Sequence, residues 1–169
     1  MAKPTTENIA LPDFPVTIVR ELDGHFIHDD INLNEMVANT NKGLILYFYP
    51  KDNTPGCTTQ AKEFTTHLND FDDLGYDIIG VSRDSVESHE KFIAKHHLNI
   101  ALISDTDGKL CQHFDVIKEK NMYGNITLGL VRSAFVFDTE GKLTHAQRNL
   151  RAKGYTERLR ETLALQSPN

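Results

Sequence analysis

Seven consecutive apolar residues at positions 43–49 are followed directly by Pro50. An uninterrupted apolar segment of this length is typical of a strand that is buried on both faces and lies centrally in a sheet. Along the rest of the chain, strand-like and helix-like segments alternate and are separated by Gly, Asp and Asn. We therefore predict an α/β fold in which helices flank a central mixed sheet.

The N-terminal part of the chain has the pattern of a β-hairpin. Residues 16–22 alternate, Asp23 and Gly24 form a strong turn signal, and residues 25–31 can form the return strand. The other predicted elements are strands at 76–82 and 101–104, helices at 85–98, through 110–114 and at 155–165, and a second hairpin at 133–138 and 142–148. We expect residues 1–12 and 166–169 to be frayed.

An amphipathic helix is predicted directly after the apolar strand. Its apolar positions Cys57, Ala61, Phe64, Leu68 and Phe71 follow one another at spacings of three and four, which is the period of a helix with one buried face. Cys57 is therefore expected in the first turn, on the side that faces the core.

Cys57 has the sequence context of a reactive thiol. The chain has two cysteines, Cys57 and Cys111, which are too few for a disulfide framework. A helix N-terminus favours a thiolate and can hold an oxyanion. This effect is worth about 0.3–2 kcal/mol, which raises a thiolate fraction of a few per cent by only about tenfold. Fast attack on a peroxide also needs groups that orient it and stabilise the departing oxygen.

Four further residues are candidates for these tasks. Thr54 has a hydroxyl that can contact a bound oxygen or cap the helix, and Pro50 restricts the loop between strand and helix. Arg132 precedes the strand of the second hairpin, from where its guanidinium can reach over the helix start and pair with the thiolate and the peroxide. Gln60 can hydrogen-bond near the site or lie in solvent.

The sequence argues against several other classes of protein. Cys57 is followed by Thr58, Thr59 and Gln60, so the Cys-x-x-Cys pair of a disulfide reductase is absent. The eight histidines, which include the adjacent His96 and His97, show no metal-ligand spacing. We expect neither a metal nor another cofactor.

The composition indicates one soluble domain that comprises residues 1–169, with a core at about 12–165. A net charge of −6 argues against binding to nucleic acid or to an anionic membrane. The chain has no apolar run that could span a membrane, and its N-terminus does not have the pattern of a secretory signal. We therefore expect a cytoplasmic protein.

Pro50, Thr54 and Cys57 match the Pro-x-x-x-Thr-x-x-Cys signature of peroxiredoxins. The surrounding sequence, together with residues 80–89, 102–105 and 132–138, resembles the branch of the bacterioferritin-comigratory protein and peroxiredoxin Q. The resemblance covers roughly residues 12–165. It implies a thioredoxin-like fold and a thiol-dependent peroxidase, with Cys57 as the peroxidatic residue and Thr54 and Arg132 as the residues that position the peroxide.

The chain departs from this branch at the position of the resolving cysteine. Many members have that cysteine five residues after the peroxidatic one, where this chain has Lys62, and the helix predicted at 85–98 contains no cysteine either. Cys111 is the remaining candidate, although a small buried residue is its simpler interpretation. We therefore expect a one-Cys cycle in which an external thiol, such as thioredoxin, reduces Cys57 again.

The resemblance leaves several points open. It implies hydrogen peroxide and organic hydroperoxides as substrates without ranking them. We expect a monomer, with a dimer as the alternative. The competing interpretation of the whole chain is a thioredoxin-fold binding or chaperone-like module that has kept the loop but does not turn over peroxide.

Overall fold

A computed structural model describes residues 7–166 of the chain. Its strands are β1 Val16–Leu22, β2 His25–Ile31, β3 Gly43–Phe48, β4 Tyr76–Ser82, β5 Ala101–Ser104, β6 Ile117–Met122, β7 Asn125–Leu130, β8 Ser133–Phe137 and β9 Leu143–Gln147. Its helices are α1 Leu33–Thr40, α2 Pro55–Thr66, α3 Leu68–Asp73, α4 Val86–His96, α5 Lys109–His113 and α6 Tyr155–Gln166.

Seven of the strands form one mixed sheet in the order β2-β1-β5-β4-β3-β8-β9. The central strands β3, β4 and β5 are parallel, and the hairpins β1–β2 and β8–β9 extend the sheet at its two edges with antiparallel pairing. All six residues of β3 are buried. The predicted central strand and mixed sheet are therefore confirmed.

The sheet separates two hydrophobic clusters, because successive side chains of a strand point to opposite faces. Ile45 and Tyr47 belong to the first cluster, which also contains residues of α2, α3, α4 and α6. Leu44 and Leu46 belong to the second cluster, together with residues of α1 and α5. Helices thus cover both faces, as expected for a sheet with parallel central strands.

The structure divides one predicted helix and adds a further helix and a further hairpin. The continuous helix predicted from Cys57 to Phe71 is interrupted at His67, which ends α2 and begins α3, although the predicted buried face is confirmed. Helix α1 and the separate hairpin β6–β7 were not predicted.

The expectation of a frayed N-terminus is wrong for residues 7–12. Leu11 is buried, and its carbonyl oxygen accepts a hydrogen bond from the Asn34 side chain. Glu7 pairs with Arg148, and His113 Nε2 lies 2.7 Å from the carbonyl oxygen of Ala10. Residues 1–6 and 167–169, also expected to be frayed, lie outside the described residues.

No helix between residues 7 and 166 is long and apolar enough to cross a membrane.

Candidate active site

The loop after β3 brings Cys57 into the first turn of α2. Thr54 occupies the N-cap position and Pro55 the first helical position, where its fixed φ suits a helix and its missing N–H costs nothing. Cys57 follows in the first turn and is 1% exposed. The N–H groups of this turn have no acceptor within the helix, so they and the helix dipole favour negative charge at this end.

Arg132 lies between β7 and β8 and reaches over the start of α2. Its Nη2 donates to Cys57 Sγ at 3.3 Å, and its Nη1 donates to Gln60 Oε1 at 2.6 Å. The backbone of Arg132 is fixed as well, since Leu150 N donates to its carbonyl oxygen at 2.9 Å. The structure therefore brings together three of the predicted residues, Cys57, Arg132 and Gln60.

Gln60 is fully buried, which resolves the choice between a position near the site and one in solvent. Its Oε1 accepts from Arg132, so its amide nitrogen points elsewhere, and Nε2 has no hydrogen-bond partner among the described residues. A buried donor without a partner is rare and costs about 1–3 kcal/mol. Gln60 thus holds the guanidinium in place and keeps a free donor inside the protein, in the turn after Cys57.

The lack of a side chain at position 56 makes room for the guanidinium. A Cβ atom built on Gly56 would lie 3.2 Å from Arg132 Nη2, which is closer than most van der Waals contacts. Gly56 therefore permits the approach of Arg132 to Cys57.

Thr54 is placed at the helix start, but its side chain does not cap α2. Its hydroxyl donates to the carbonyl oxygen of Lys51 at 2.9 Å. This bond spans the loop and leaves the oxygen lone pairs of the hydroxyl able to accept. The alternative that the Thr54 side chain caps the helix is therefore wrong, whereas its role toward a peroxide stays a prediction.

Pro50 and Arg132 line the same cavity, which has a volume of about 660 Å³ and is open to the surface. The other residues that line it come from β6 and the segment before it, from the link between β7 and β8 with the start of β8, and from the segment after β9: Asp115, Val116, Lys118, Glu119, Lys120, Val131, Ser133, Arg148 and Asn149. Arg132 thus contacts the thiol of Cys57 and also borders an open space from which a small molecule can approach.

Two features of the site had not been expected. Tyr47 packs below α2 with its ring stacked on Phe64 at 4.6 Å. Burial raises the pKa of the Tyr47 phenol well above its ordinary value, and the charge of Cys57 raises it further, so the phenol stays protonated. In the sequence Tyr47 is one of several apolar residues of a buried strand, and no signal distinguishes it.

The second unexpected feature is Asp52, whose carboxylate is buried within the loop before Cys57. It accepts hydrogen bonds from the side chains of Tyr49, which directly follows β3, and Ser88 of α4. In the sequence, a charged residue between Pro50 and Asn53 is typical of an exposed turn, so its burial could not be predicted.

The structure does not bring Cys111 near Cys57. Cys57 belongs to the cluster on one face of the sheet and Cys111 to the cluster on the other face. Burial, followed by the neighbouring Asp105, raises the pKa of the Cys111 thiol far above its ordinary value. Cys111 therefore has the environment of a structural residue.

The histidines do not converge on a metal site. His96 lies 3.0 Å from the side-chain oxygen of Asn53, and His97 ends α4 in a left-handed conformation. Between residues 7 and 166, no group of three or more His, Cys, Asp or Glu side chains is placed to hold a metal ion.

A family model described as the AhpC/TSA family matches residues 9–146. Peroxiredoxin Bcp of Xanthomonas campestris is 49% identical over 120 residues, which cover 71% of this chain and 75% of that protein. Peroxiredoxin Bcp of Bacillus subtilis is 44% identical over 122 residues, which cover 72% and 78%.

Solved structures give the same result. Peroxiredoxin Q of Xanthomonas campestris is similar with a TM-score of 0.81 and 40% identity, covering 94% of this chain and 97% of that one. A second structure with the same score and identity covers 94% and 98%. It is a trapped intermediate or ligand complex of the bacterioferritin comigratory protein from that organism, studied for its alkyl peroxide reduction activity.

These matches confirm the thioredoxin-like fold that the resemblance implied. They cover the loop, the peroxidatic motif and the sheet on which both depend. The chain therefore belongs to the AhpC/TSA family, and within it to the branch of thiol-dependent peroxidases formed by the bacterioferritin-comigratory protein and peroxiredoxin Q.

Proposed function

We propose that this peroxidase reduces hydrogen peroxide and organic hydroperoxides with Cys57 as the attacking thiolate. The observation that carries this proposal is the forked contact of Arg132, which reaches Cys57 Sγ with one nitrogen and Gln60 with the other. A guanidinium in this position stabilises the thiolate and can also donate to the oxygens of a bound peroxide. The relative from Xanthomonas campestris, studied for alkyl peroxide reduction, supports organic hydroperoxides as substrates.

The reaction starts with a peroxide that enters from the cavity beside Pro50 and Arg132. The Cys57 sulfur attacks the terminal oxygen, so that an S–O bond forms while the O–O bond breaks. The departing hydroxide or alkoxide takes up a proton, and Cys57 is oxidised to sulfenic acid. Arg132 and the N-terminal amides of α2 stabilise the charge on the departing oxygen, and Thr54 helps to orient the peroxide.

The regeneration of Cys57 requires a thiol from outside the chain. Lys62 stands where many relatives have a resolving cysteine, and the sheet lies between Cys57 and Cys111. An external thiol therefore attacks the sulfenic acid, releases water and forms a mixed disulfide, which a second thiol reduces. Thioredoxin is the reductant that we expect.

The first experiment measures the consumption of hydrogen peroxide with dithiothreitol or thioredoxin as reductant. Wild-type protein should consume peroxide rapidly, and mass spectrometry should find the added oxygen on Cys57. Cys57→Ser should be inactive, whereas the matched variant Cys111→Ala should keep the wild-type rate. Equal slow rates for wild type and Cys57→Ser would show that this site is not a peroxidase and would favour the binding module instead.

A second experiment identifies how Cys57 recovers. After one equivalent of peroxide, mass spectrometry should find sulfenic acid or its oxidation products on Cys57 and no bond to Cys111. A disulfide between Cys57 and Cys111, within one chain or between two, would contradict the one-Cys cycle. Steady-state rates with thioredoxin, glutaredoxin and glutathione would then rank the reductants.

The remaining expectations concern assembly and location. We propose that the protein acts as a monomer in the cytoplasm, with a dimer as the alternative state. Light scattering of the reduced and the oxidised protein distinguishes the two oligomeric states, and fractionation of cells determines the compartment.

A further inference from the structure

The loop that leads from β3 to α2, residues 50–54, is held by a buried pair of side chains. The carboxylate of Asp52 and the imidazole of His89 are 2% and 0% exposed, and Asp52 Oδ2 lies 2.8 Å from His89 Nδ1. Asp52 is in the loop, whereas His89 is on α4. The pair therefore joins the segment that carries Thr54 and Cys57 to a helix that takes no part in the proposed chemistry.

The hydrogen bonds around the pair determine where its protons lie. His89 Nε2 is 2.9 Å from the carbonyl oxygen of Ile103, which can only accept, so Nε2 carries a proton. Tyr49 donates to Asp52 Oδ1 at 2.6 Å, and Ser88 donates to Oδ2 at 2.7 Å. One further proton lies between Asp52 and His89. The pair is thus neutral as a whole, and each of its polar atoms has a partner.

Two more contacts fix the same loop. The backbone N–H of Asp52 donates to the Asp84 carboxylate at 2.8 Å, and this carboxylate also accepts from Ser82 at the end of β4. The next residue, Asn53, has a left-handed backbone with φ 61° and contacts His96. His89 and His96 are seven residues apart, so they lie on one face of α4. Two successive loop residues are therefore held by one helix face.

The held residues are close to the reacting atoms along the chain. Thr54 follows Asn53 directly, and its hydroxyl bond to Lys51 encloses Asp52. Cys57 lies one turn further on, at 3.3 Å from Arg132. Attack on a peroxide requires the sulfur and the O–O bond to be in line, and a misplacement of about 1 Å can cost about a hundredfold in rate.

We propose that Asp52 and His89 are positioning residues for the peroxidase reaction: they hold the loop 50–54 so that Cys57 and Thr54 meet the peroxide in the attacking geometry. Neither residue touches the reacting atoms. This inference rests on the proposed function of Cys57, and it adds two residues that the Pro-x-x-x-Thr-x-x-Cys signature does not specify to the set that the reaction requires.

The test compares two reactions of the same sulfur. The first is oxidation by hydrogen peroxide, measured by competition with horseradish peroxidase, and the second is alkylation by iodoacetamide. In Asp52→Asn and in His89→Gln, the oxidation rate constant should fall by about 10- to 100-fold. Alkylation should stay equal or rise, because it needs a thiolate but no oriented peroxide. A role in global stability alone would leave both rates of the folded protein unchanged.

A double variant tests whether the two residues act as a pair. Asp52→Asn combined with His89→Gln should oxidise no more slowly than the slower single variant, because the pair is already lost in each. Asp73→Asn and His28→Gln change exposed side chains of the same types and should keep the wild-type rates. If His89→Gln does not fold, Asp52→Asn decides the question, since the amide keeps the shape of the carboxylate.

Three results would overturn the proposal. The first is an oxidation rate within about threefold of wild type in the folded variants. The second is a parallel fall of oxidation and alkylation, which would indicate lost thiolate reactivity instead of lost orientation. The third is multiplicative loss in the double variant. If the wild-type protein were no more active than Cys57→Ser, the proposed function itself would be refuted. Asp52 and His89 would then have no peroxidase reaction for which to position Cys57 and Thr54.

Discussion

Replacing Arg132 with lysine keeps a positive charge beside Cys57 and removes the fork that contacts two acceptors. In the native protein, Nη2 donates to the sulfur at 3.3 Å and Nη1 donates to Gln60 at 2.6 Å. A single ammonium group cannot reproduce both contacts in a fixed plane. A hydrogen bond to a charged group is worth about 1.5–3 kcal/mol, and each 1.4 kcal/mol changes a rate about tenfold. We therefore expect Arg132→Lys to oxidise about 10- to 150-fold more slowly.

Arg132→Gln removes the charge as well. The loss of a donor that stabilises developing charge costs about 10²- to 10³-fold in rate, so the expected order is wild type, then lysine, then glutamine. The chain has no tryptophan, and its intrinsic fluorescence is a weak reporter of oxidation. Competition with horseradish peroxidase for a limited amount of hydrogen peroxide gives the rate constant directly.

The control for this experiment is Arg151→Lys, which changes an exposed arginine and should keep the wild-type rate constant. Urea denaturation of each variant shows that the compared proteins are folded. A rate constant for Arg132→Lys within about threefold of wild type would refute the reasoning, because the fork would then contribute nothing that a point charge does not supply.

Three further predictions follow from the same geometry. Iodoacetamide at pH 8 should modify Cys57 and spare Cys111, because burial raises the pKa of Cys111 and keeps it in the thiol form; peptide mapping that finds equal modification would contradict this. Gly56→Ala should stabilise α2 by up to about 1 kcal/mol yet slow oxidation severalfold, because its Cβ would lie 3.2 Å from Arg132 Nη2; an unchanged oxidation rate would count against the close approach. Gly80→Ala should lower the free energy of unfolding by about 1–3 kcal/mol in urea, since its Cβ would lie 2.7 Å from the ring of its neighbour on β3; unchanged stability would show that the ring can move.

Turn signals and periodicity predicted the N-terminal hairpin and the buried face of α2. The bounds of β1 and β2 agree with the segments predicted at 16–22 and 25–31 on either side of Asp23-Gly24, and the predicted buried positions of α2 belong to the core. The break between α2 and α3 at His67 was not predicted because apolar residues continue at helical spacing on both sides of it. Spacing shows which face is buried and does not show where a helix changes direction.

The hairpin β6–β7 lacks the signals on which sequence reasoning depends. Its turn, Tyr123-Gly124, has positive φ angles of 55° and 84° at its two central residues, a geometry usually marked by Asn-Gly or Asp-Gly. Residues 125–128 of β7 are all exposed. The apolar and polar residues in this part of the strand therefore do not mark a buried face. Helix α1 did have a signal, because Asn32 accepts from the backbone N–H of Glu35 and caps it. At eight residues, however, α1 is too short for its periodicity to stand out.

The candidate site was predictable to the extent that local sequence determines it. The Pro50-to-Cys57 segment places a thiol at a helix start, and Arg132 could be proposed because the chemistry requires a cation. Cys57 and Arg132 are 75 positions apart along the chain, and Asp52 and His89 are 37 positions apart. Only the tertiary fold brings the members of each pair together. Contacts of this kind depend on how loops and helices pack on the sheet, and spacing along the chain does not encode them.

The position of the two cysteines on opposite faces of one sheet connects the fold to the second half of the cycle. In the proposed reaction, Cys57 is oxidised at a helix start, in contact with Arg132, and Arg132 borders a cavity of about 660 Å³. Cys111 lies behind the sheet, with its backbone N–H bound to Asp105. A disulfide between the two within one chain would require the sheet or α5 to come apart. An external reductant requires only that the first turn of α2 expose a sulfur that is 1% exposed here. The smaller rearrangement favours reduction from outside the chain.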